Sequence, residues 1–203
     1  MLNLGILASG NGSNLQAIID ACNSGHIDAQ VATVISDNPL AFALERARKH
    51  NIPSIEIERK LFANTHEFES AIVTQLNKHQ VKLICLAGFM RLIRNTLLTA
   101  FPKRIINLHP SLLPLFPGLK APAQALAARA TETGCTIHLV DEQMDQGPII
   151  AQSKVAIKAN DTAETLTMRI HEQEHLLYPK VIQLFAENRL HFTAGKVCIK
   201  DKN

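Results

Sequence analysis

Short apolar stretches of strand length alternate with longer amphipathic stretches through most of this chain, and that alternation constrains its fold most strongly. Leu2 to Ala8, Gln30 to Ser36, Ile52 to Ile57 and Val81 to Ala87 read as strands rich in Val, Ile and Leu. Between them fall a helix opening at about Leu15, one from about Leu40 to His50 and one from Phe62 to His79. In the last, Phe68, Ile72, Val73 and Leu76 recur at helical spacing. Strands alternating with helices predict an α/β fold: a mainly parallel sheet with helices on both faces. Further on, the pattern predicts a short helix over Ala121 to Ala130 and strands over Gly134 to Val140 and Ile149 to Ile157. A long helix capped by Asp161 or Thr162 then runs to about Glu187, and Leu190 to Ile199 adds a terminal hairpin arm. No repeat or low-complexity linker interrupts the pattern, so residues 1–203 are expected to form a single domain.

The composition narrows the function classes. No apolar run approaches the ~20 residues of a membrane helix. The first residues enter strand-like sequence with neither a basic n-region nor a cleavage site, so no signal peptide is expected. Cys22, Cys85, Cys135 and Cys198 are widely spaced and form no CxxC, which predicts free thiols in a reducing cytoplasm. A net charge of +3, a single tyrosine and no tryptophan give little basis for binding nucleic acid.

In parallel sheets, ligands collect at the carboxyl ends of strands. Three segments of interest follow strands. Ser9-Gly10-Asn11-Gly12-Ser13-Asn14 joins the first strand to the first helix and suits a phosphate: glycines permit close approach, backbone N–H groups converge, and Ser13 or Asn14 can cap the helix. The loop is neither GxGxxG, because Leu15 replaces the third glycine, nor a Gly-Lys-Ser/Thr loop. Gly88-Phe89-Met90-Arg91-Leu92-Ile93 leaves the fourth strand, and from composition Met90, Leu92 and Ile93 read as core. Ile105 to Pro117 reads IINLHPSLLPLFP, a β-branched start to a strand ending in Asn107 and His109. Residues two apart share a strand face, and Pro110 ends the strand. An amide donor beside an imidazole suits carbonyl chemistry, the amide meeting a developing oxyanion and the imidazole moving a proton near pH 7. A lone Asn-x-His better suits polar groups bonded to loop backbone, and its convergence with the other segments at one sheet edge is what favours the chemical reading. A carboxylate partner for His109 is expected in the acidic loop Asp141-Glu142-Gln143-Met144-Asp145, and the residues alone leave Asp141, Glu142 and Asp145 open. His171-Glu172-Gln173-Glu174-His175 matches HExxH, but no recognised continuation follows, so a polar helix face without zinc is expected.

Several stretches together resemble the folate-dependent glycinamide ribonucleotide formyltransferases of purine synthesis. They are ILASGNGSNLQAIIDAC, the ERAR of residues 45 to 48, LAGFMRLI, INLHPSLLP with PGL, GCTIHLV, DQGPII and QEHLLYP, in the family's order over nearly the whole chain. The resemblance implies a Rossmann-like parallel sheet continuing into a mixed C-terminal part. It implies that Gly12, Ser13 and Asn14 hold the phosphate of glycinamide ribonucleotide, while His171 and Glu174 meet its ribose and phosphate. Met90, Arg91, Leu92 and Ile93 would line the pterin pocket, and Asp141, Glu142, Gln143, Met144 and Asp145 would close over the folate ring. Asn107, His109 and Asp145 match the catalytic trio, with Asn107 also against the folate. The implied reaction moves the formyl group of 10-formyltetrahydrofolate, a co-substrate, to the substrate amine. Asn107 and protonated His109 would stabilise the tetrahedral intermediate while Asp145 raises the histidine pKa. No metal, nucleic acid or membrane partner is implied. A cytoplasmic monomer or homodimer is expected.

The chain departs from the family at Thr65, where many members carry an arginine meeting the folate tail, and at Lys120 and Pro122, often histidines. The Ala-Pro at residues 121 and 122 resembles methionyl-tRNA formyltransferases, the runner-up. Formyltetrahydrofolate hydrolases share the core, and a non-catalytic folate-binding protein is the reading from another class.

Overall fold

The computed structural model describes residues 1–193 and 196–201. In chain order the elements are β1 (Leu2–Leu7), α1 (Ser13–Asn23), β2 (Ala29–Ser36), α2 (Phe42–Lys49), β3 (Ser54–Glu56), α3 (Thr65–Lys78), β4 (Leu83–Leu86), α4 (Asn95–Ala100), β5 (Ile105–His109), α5 (Ala121–Ala127), β6 (Glu132–Leu139), β7 (Ile149–Ala156), α6 (Ala163–Ala186), β8 (Leu190–Thr193) and β9 (Lys196–Ile199). Seven strands form one sheet in the order β3-β2-β1-β4-β5-β6-β7, while β8 and β9 pair separately. Pairing is parallel from β3 through β5 and antiparallel for β5–β6 and β6–β7. The α/β expectation, with a mixed C-terminal part, therefore holds. No helix among the described residues is long and apolar enough to cross a membrane.

Two apolar clusters cover the sheet. One joins Leu15, Ile18 and Ile19 of α1 to Leu166, Ile170, Tyr178 and Ile182 of α6. The other joins Phe68, Ile72 and Leu76 of α3 to Leu97 of α4. At the middle of β1 a side chain on Gly5 would meet Leu76 Cδ2 at 2.5 Å, so the bare backbone lets α3 pack directly against the sheet. After β1 the chain winds outward to β2 and β3, then returns to β4 on the other side. The segments following β1 and β4 therefore flank the topological switch point.

Several boundaries differ from expectation for local reasons. The third helix starts at Thr65 rather than Phe62, because the Asn64 side chain accepts the Glu67 N–H and caps it. A 3-10 turn at Arg59–Leu61 precedes it. The short helix α4 was not expected. Its first turn is capped from outside by buried Glu69 of α3, which accepts the Arg94 and Leu97 N–H groups at 2.5 and 3.1 Å. Ser13 and Asn14 do not cap α1: the cap position is Gly12, in left-handed backbone with φ 74° and no side-chain cap. Thr162, not Asp161, caps α6 in a reciprocal bond pair with Thr165. The expected terminal arm is β8–β9; its connecting residues 194 and 195 lie outside the described residues. Met90 and Leu92 are not core, being 64% and 50% exposed, whereas Ile93 is buried.

The single tyrosine ties α6 to the sheet beneath the strand ends. Tyr178 is fully buried, and its hydroxyl donates to the Leu86 carbonyl at 3.0 Å, with the Ile106 carbonyl at 3.4 Å. Tyr178→Phe keeps the ring and removes this donor. It is expected to lower unfolding stability by about 1 kcal/mol in urea denaturation; an unchanged midpoint and slope would show that the hydroxyl contributes nothing.

Candidate active site

β5 carries Asn107 and His109 to the carboxyl edge on one face. Its antiparallel neighbour β6 sets His138 directly opposite Asn107, and Thr136 opposite His109. The loop between β6 and β7 then brings Asp145 back over both histidines. Asp145 Oδ2 lies 3.4 Å from His109 Nδ1, and Oδ1 lies 3.7 Å from His138 Nε2. The carboxylate also accepts the Gly118 N–H at 2.8 Å. Asp145 adopts a left-handed φ of 57°. Of the three acids left open by the sequence, the structure thus brings Asp145 to His109. Asp141 instead accepts the Gln143 N–H at 2.9 Å.

The hydrogen bonds fix where the protons sit. His138 Nδ1 is 2.8 Å from the Leu139 carbonyl, which can only accept, so Nδ1 carries hydrogen. Burial holds the His138 pKa below its ordinary value, outweighing the charge of Asp145. The ring is therefore neutral, and Nε2 is an acceptor. Asn107 Nδ2, 3.1 Å away, must donate to it. This sets the rotation of the Asn107 amide and leaves its second N–H for another acceptor. His109 is 5% exposed, and its Nε2 donates to the Phe116 carbonyl at 2.8 Å. His138 was not singled out from sequence, because only the antiparallel register discloses its partner.

A second group gathers beside α1. Without a side-chain cap, the N-terminal turn of α1 presents N–H groups that lack helical acceptors. A side chain on Gly12 would meet Ala43 Cβ at 2.8 Å, so glycine lets α2 brace the loop. Arg46 of α2 donates from Nε to the Asn11 carbonyl and from Nη2 to Asn11 Oδ1, at 2.9 and 3.0 Å. Asn14 Nδ2 donates to Glu174 Oε2 at 2.8 Å, while Asn14 Oδ1 is buried with no partner. Glu174 is 3% exposed, and burial raises its pKa against the opposing pull of Asn14, His171 and His109. His171 Nε2 lies 3.9 Å from Glu174 and stacks with His175. Among the described residues no group of three or more His, Cys, Asp or Glu is arranged to hold a metal ion.

After β4, the Met90 N–H donates to Ser9 Oγ, and Arg91 Nε pairs with Asp37. Gly118 faces Met144, whose Cε lies 3.9 Å from where a Gly118 side chain would begin. The loop residues Glu142 and Gln143 are exposed. Thr65, at the start of α3, shares a depression with His66, Glu69 and Arg94, and its hydroxyl is 3.5 Å from Arg59. No hydrogen bond among the described residues joins it to the trio.

Residues 2–182 match a family model described as formyl transferase. The chain is 49% identical over 183 residues to the phosphoribosylglycinamide formyltransferase of Bacillus subtilis (strain 168), covering 90% of this chain and 94% of that protein. It is 40% identical over 189 residues to the enzyme of that name from Escherichia coli (strain K12), covering 93% and 89%. The solved structure of glycinamide ribonucleotide transformylase 1 from Symbiobacterium toebii superposes with a TM-score of 0.97 at 47% identity, over 99% of this chain and 95% of that one.

Neutral His138 has a stability consequence. Its folded pKa lies below the ordinary 6.5, so the unfolded chain binds the proton more readily. Stability is then fully present above that value and is lost as pH falls through it. His175 is also held low by burial, and Glu174, held high, acts in the opposite sense above 4.5. Comparing variants isolates His138: between about pH 7.5 and 5.5, His138→Gln should lose less unfolding free energy than the unmodified protein. Equal losses in urea titrations would show that His138 is not held neutral by the fold.

Proposed function

The chain belongs to the formyl transferase family, and from that premise we propose that it transfers the formyl group of 10-formyltetrahydrofolate to the amine of glycinamide ribonucleotide in purine biosynthesis. The observation that carries this reading is the meeting of Asn107, His109 and Asp145 at one strand edge, with Asp145 Oδ2 3.4 Å from His109 Nδ1. Binding alone does not require an amide donor, an imidazole and a carboxylate so arranged.

In this mechanism the neutral substrate amine attacks the formyl carbon. The second N–H of Asn107 and the Nε2–H of His109 meet the oxygen on which charge collects. The formyl oxygen takes the place of the Phe116 carbonyl at Nε2. Asp145 balances the imidazolium and passes a proton, through water, from the amine toward the folate nitrogen as the bond from that nitrogen to the formyl carbon breaks. The new carbon–nitrogen bond forms on the substrate side, so atoms and charge balance. Two bound substrates held in attack geometry supply a further part of the acceleration.

The substrate phosphate sits at the uncapped turn formed by Gly12, Ser13 and Asn14. Glu174 and His171 receive the ribose and phosphate, and the orphaned Asn14 Oδ1 accepts a donor from the same ligand. The exposed Met90 and Leu92, with Arg91 and Ile93, line the pterin pocket. Asp141, Glu142, Gln143 and Met144 close over it, and Thr65 lies toward the folate tail. Residues 1–203 act as one formyltransferase domain, as a cytoplasmic monomer or homodimer.

The test follows folate absorbance with and without glycinamide ribonucleotide. Transfer should require the acceptor. His109→Ala and Asp145→Asn should each lower kcat by about 10²–10⁴ while both substrate dissociation constants stay within a few-fold. Folate turnover without acceptor would establish a hydrolase instead, and folded protein with neither activity would contradict the proposal.

A further inference from the structure

Asp37 lies just beyond β2, and neither the substrate group nor the catalytic trio includes it. Its side chain is 5% exposed and charged, so it must be compensated. Two partners from different loops do this. Arg91 Nε donates to Oδ2 at 2.6 Å, and Ser9 Oγ donates to Oδ1 at 2.5 Å. Ser9 is itself fully engaged. Its Oγ accepts the Met90 N–H at 2.8 Å, its N–H donates to the Gly88 carbonyl at 3.1 Å, and its carbonyl accepts from Asn38 Nδ2 at 3.1 Å. Thus the segment after β4 is held at Gly88, Met90 and Arg91 by residues following β1 and β2. These bonds hold in place a segment that carries two large exposed apolar side chains, Met90 and Leu92.

We propose that Asp37 is a positioning residue for the cofactor: through Arg91 directly and Met90 via Ser9, it fixes residues 88–93 in the conformation that receives the pterin ring before the ligand arrives. This rests on the formyl-folate reading of the site. The ordering cost of the segment is then met in the free protein, which favours affinity without altering the reacting groups. Asp37 touches neither substrate, so its loss should appear in folate binding rather than in the chemical step.

Asp37→Asn keeps the shape, removes the charge facing Arg91, and gives Ser9 Oγ a weaker, neutral acceptor in place of the carboxylate. The expected result is a rise of about tenfold in the KM and dissociation constant for the formyl-folate, with kcat at saturation and the KM for glycinamide ribonucleotide within about twofold. Amide hydrogen exchange at Met90, whose N–H is bonded to Ser9 Oγ, should quicken while the β1 and β4 amides stay protected. A purely structural role would move both KM values together or lower stability with no such split. Folate binding within twofold of the unmodified protein, or unchanged exchange at Met90, overturns the proposal. Unmodified protein that binds 10-formyltetrahydrofolate but transfers nothing overturns the activity while the dissociation constant and exchange still judge Asp37. Unmodified protein that binds no folate overturns both.

Discussion

The site depends on a hydrogen bond between neighbouring antiparallel strands, from Asn107 on β5 to His138 on β6. An asparagine amide can rotate to present either its oxygen or its nitrogen. Here that choice is made by the imidazole opposite, which burial keeps neutral and which the Leu139 carbonyl locks into one tautomer. If His138 were charged, Asn107 would have to turn its oxygen toward it, and the amide donor that the proposed mechanism uses would be lost. The antiparallel end of an otherwise parallel sheet is what makes this pair possible, because it sets residue 138 directly across from residue 107.

The remaining construction keeps polar groups in place where water is scarce. A typical internal hydrogen bond contributes about 1 kcal/mol, whereas losing a well-placed donor to a developing oxyanion costs about 3–4 kcal/mol in the transition state. In the proposed mechanism, orientation of Asn107 and His109 therefore has more effect on rate than on stability. The same economy of parts governs the edge near β1. Gly12 and Ala43 let α2 approach, Arg46 grips Asn11, and the N–H groups of α1 are left unpaired by side chains. The buried Glu174 joins the two regions, since it bonds Asn14 and also feels the charge of His109.

The parallel half of the fold was legible in the sequence because its strands are buried on both faces and its helices carry a clear period. The positions of Asn107 and His109 were legible for a similar reason: a two-residue spacing before proline fixes a shared face and a strand end. Other features depend on contacts between distant residues. His138 reads as one more residue in an alternating strand until its register against β5 is known. The helix α4 is capped by Glu69, 28 residues before Leu97, so no local signal announces it. Met90 and Leu92 look like core because apolar composition alone does not say whether the fold buries a side chain, and here both are exposed. Asp145 could not be separated from Asp141 and Glu142 because the choice rests on how the loop turns at a left-handed residue.

The most direct measurement of this account is the protonation of His138 by nitrogen-15 NMR of its imidazole in the free protein near neutral pH. The account predicts a neutral His138 with hydrogen on Nδ1 alone. A charged His138, or a His138 carrying its hydrogen on Nε2, would contradict it, because Asn107 could then no longer be held as a donor.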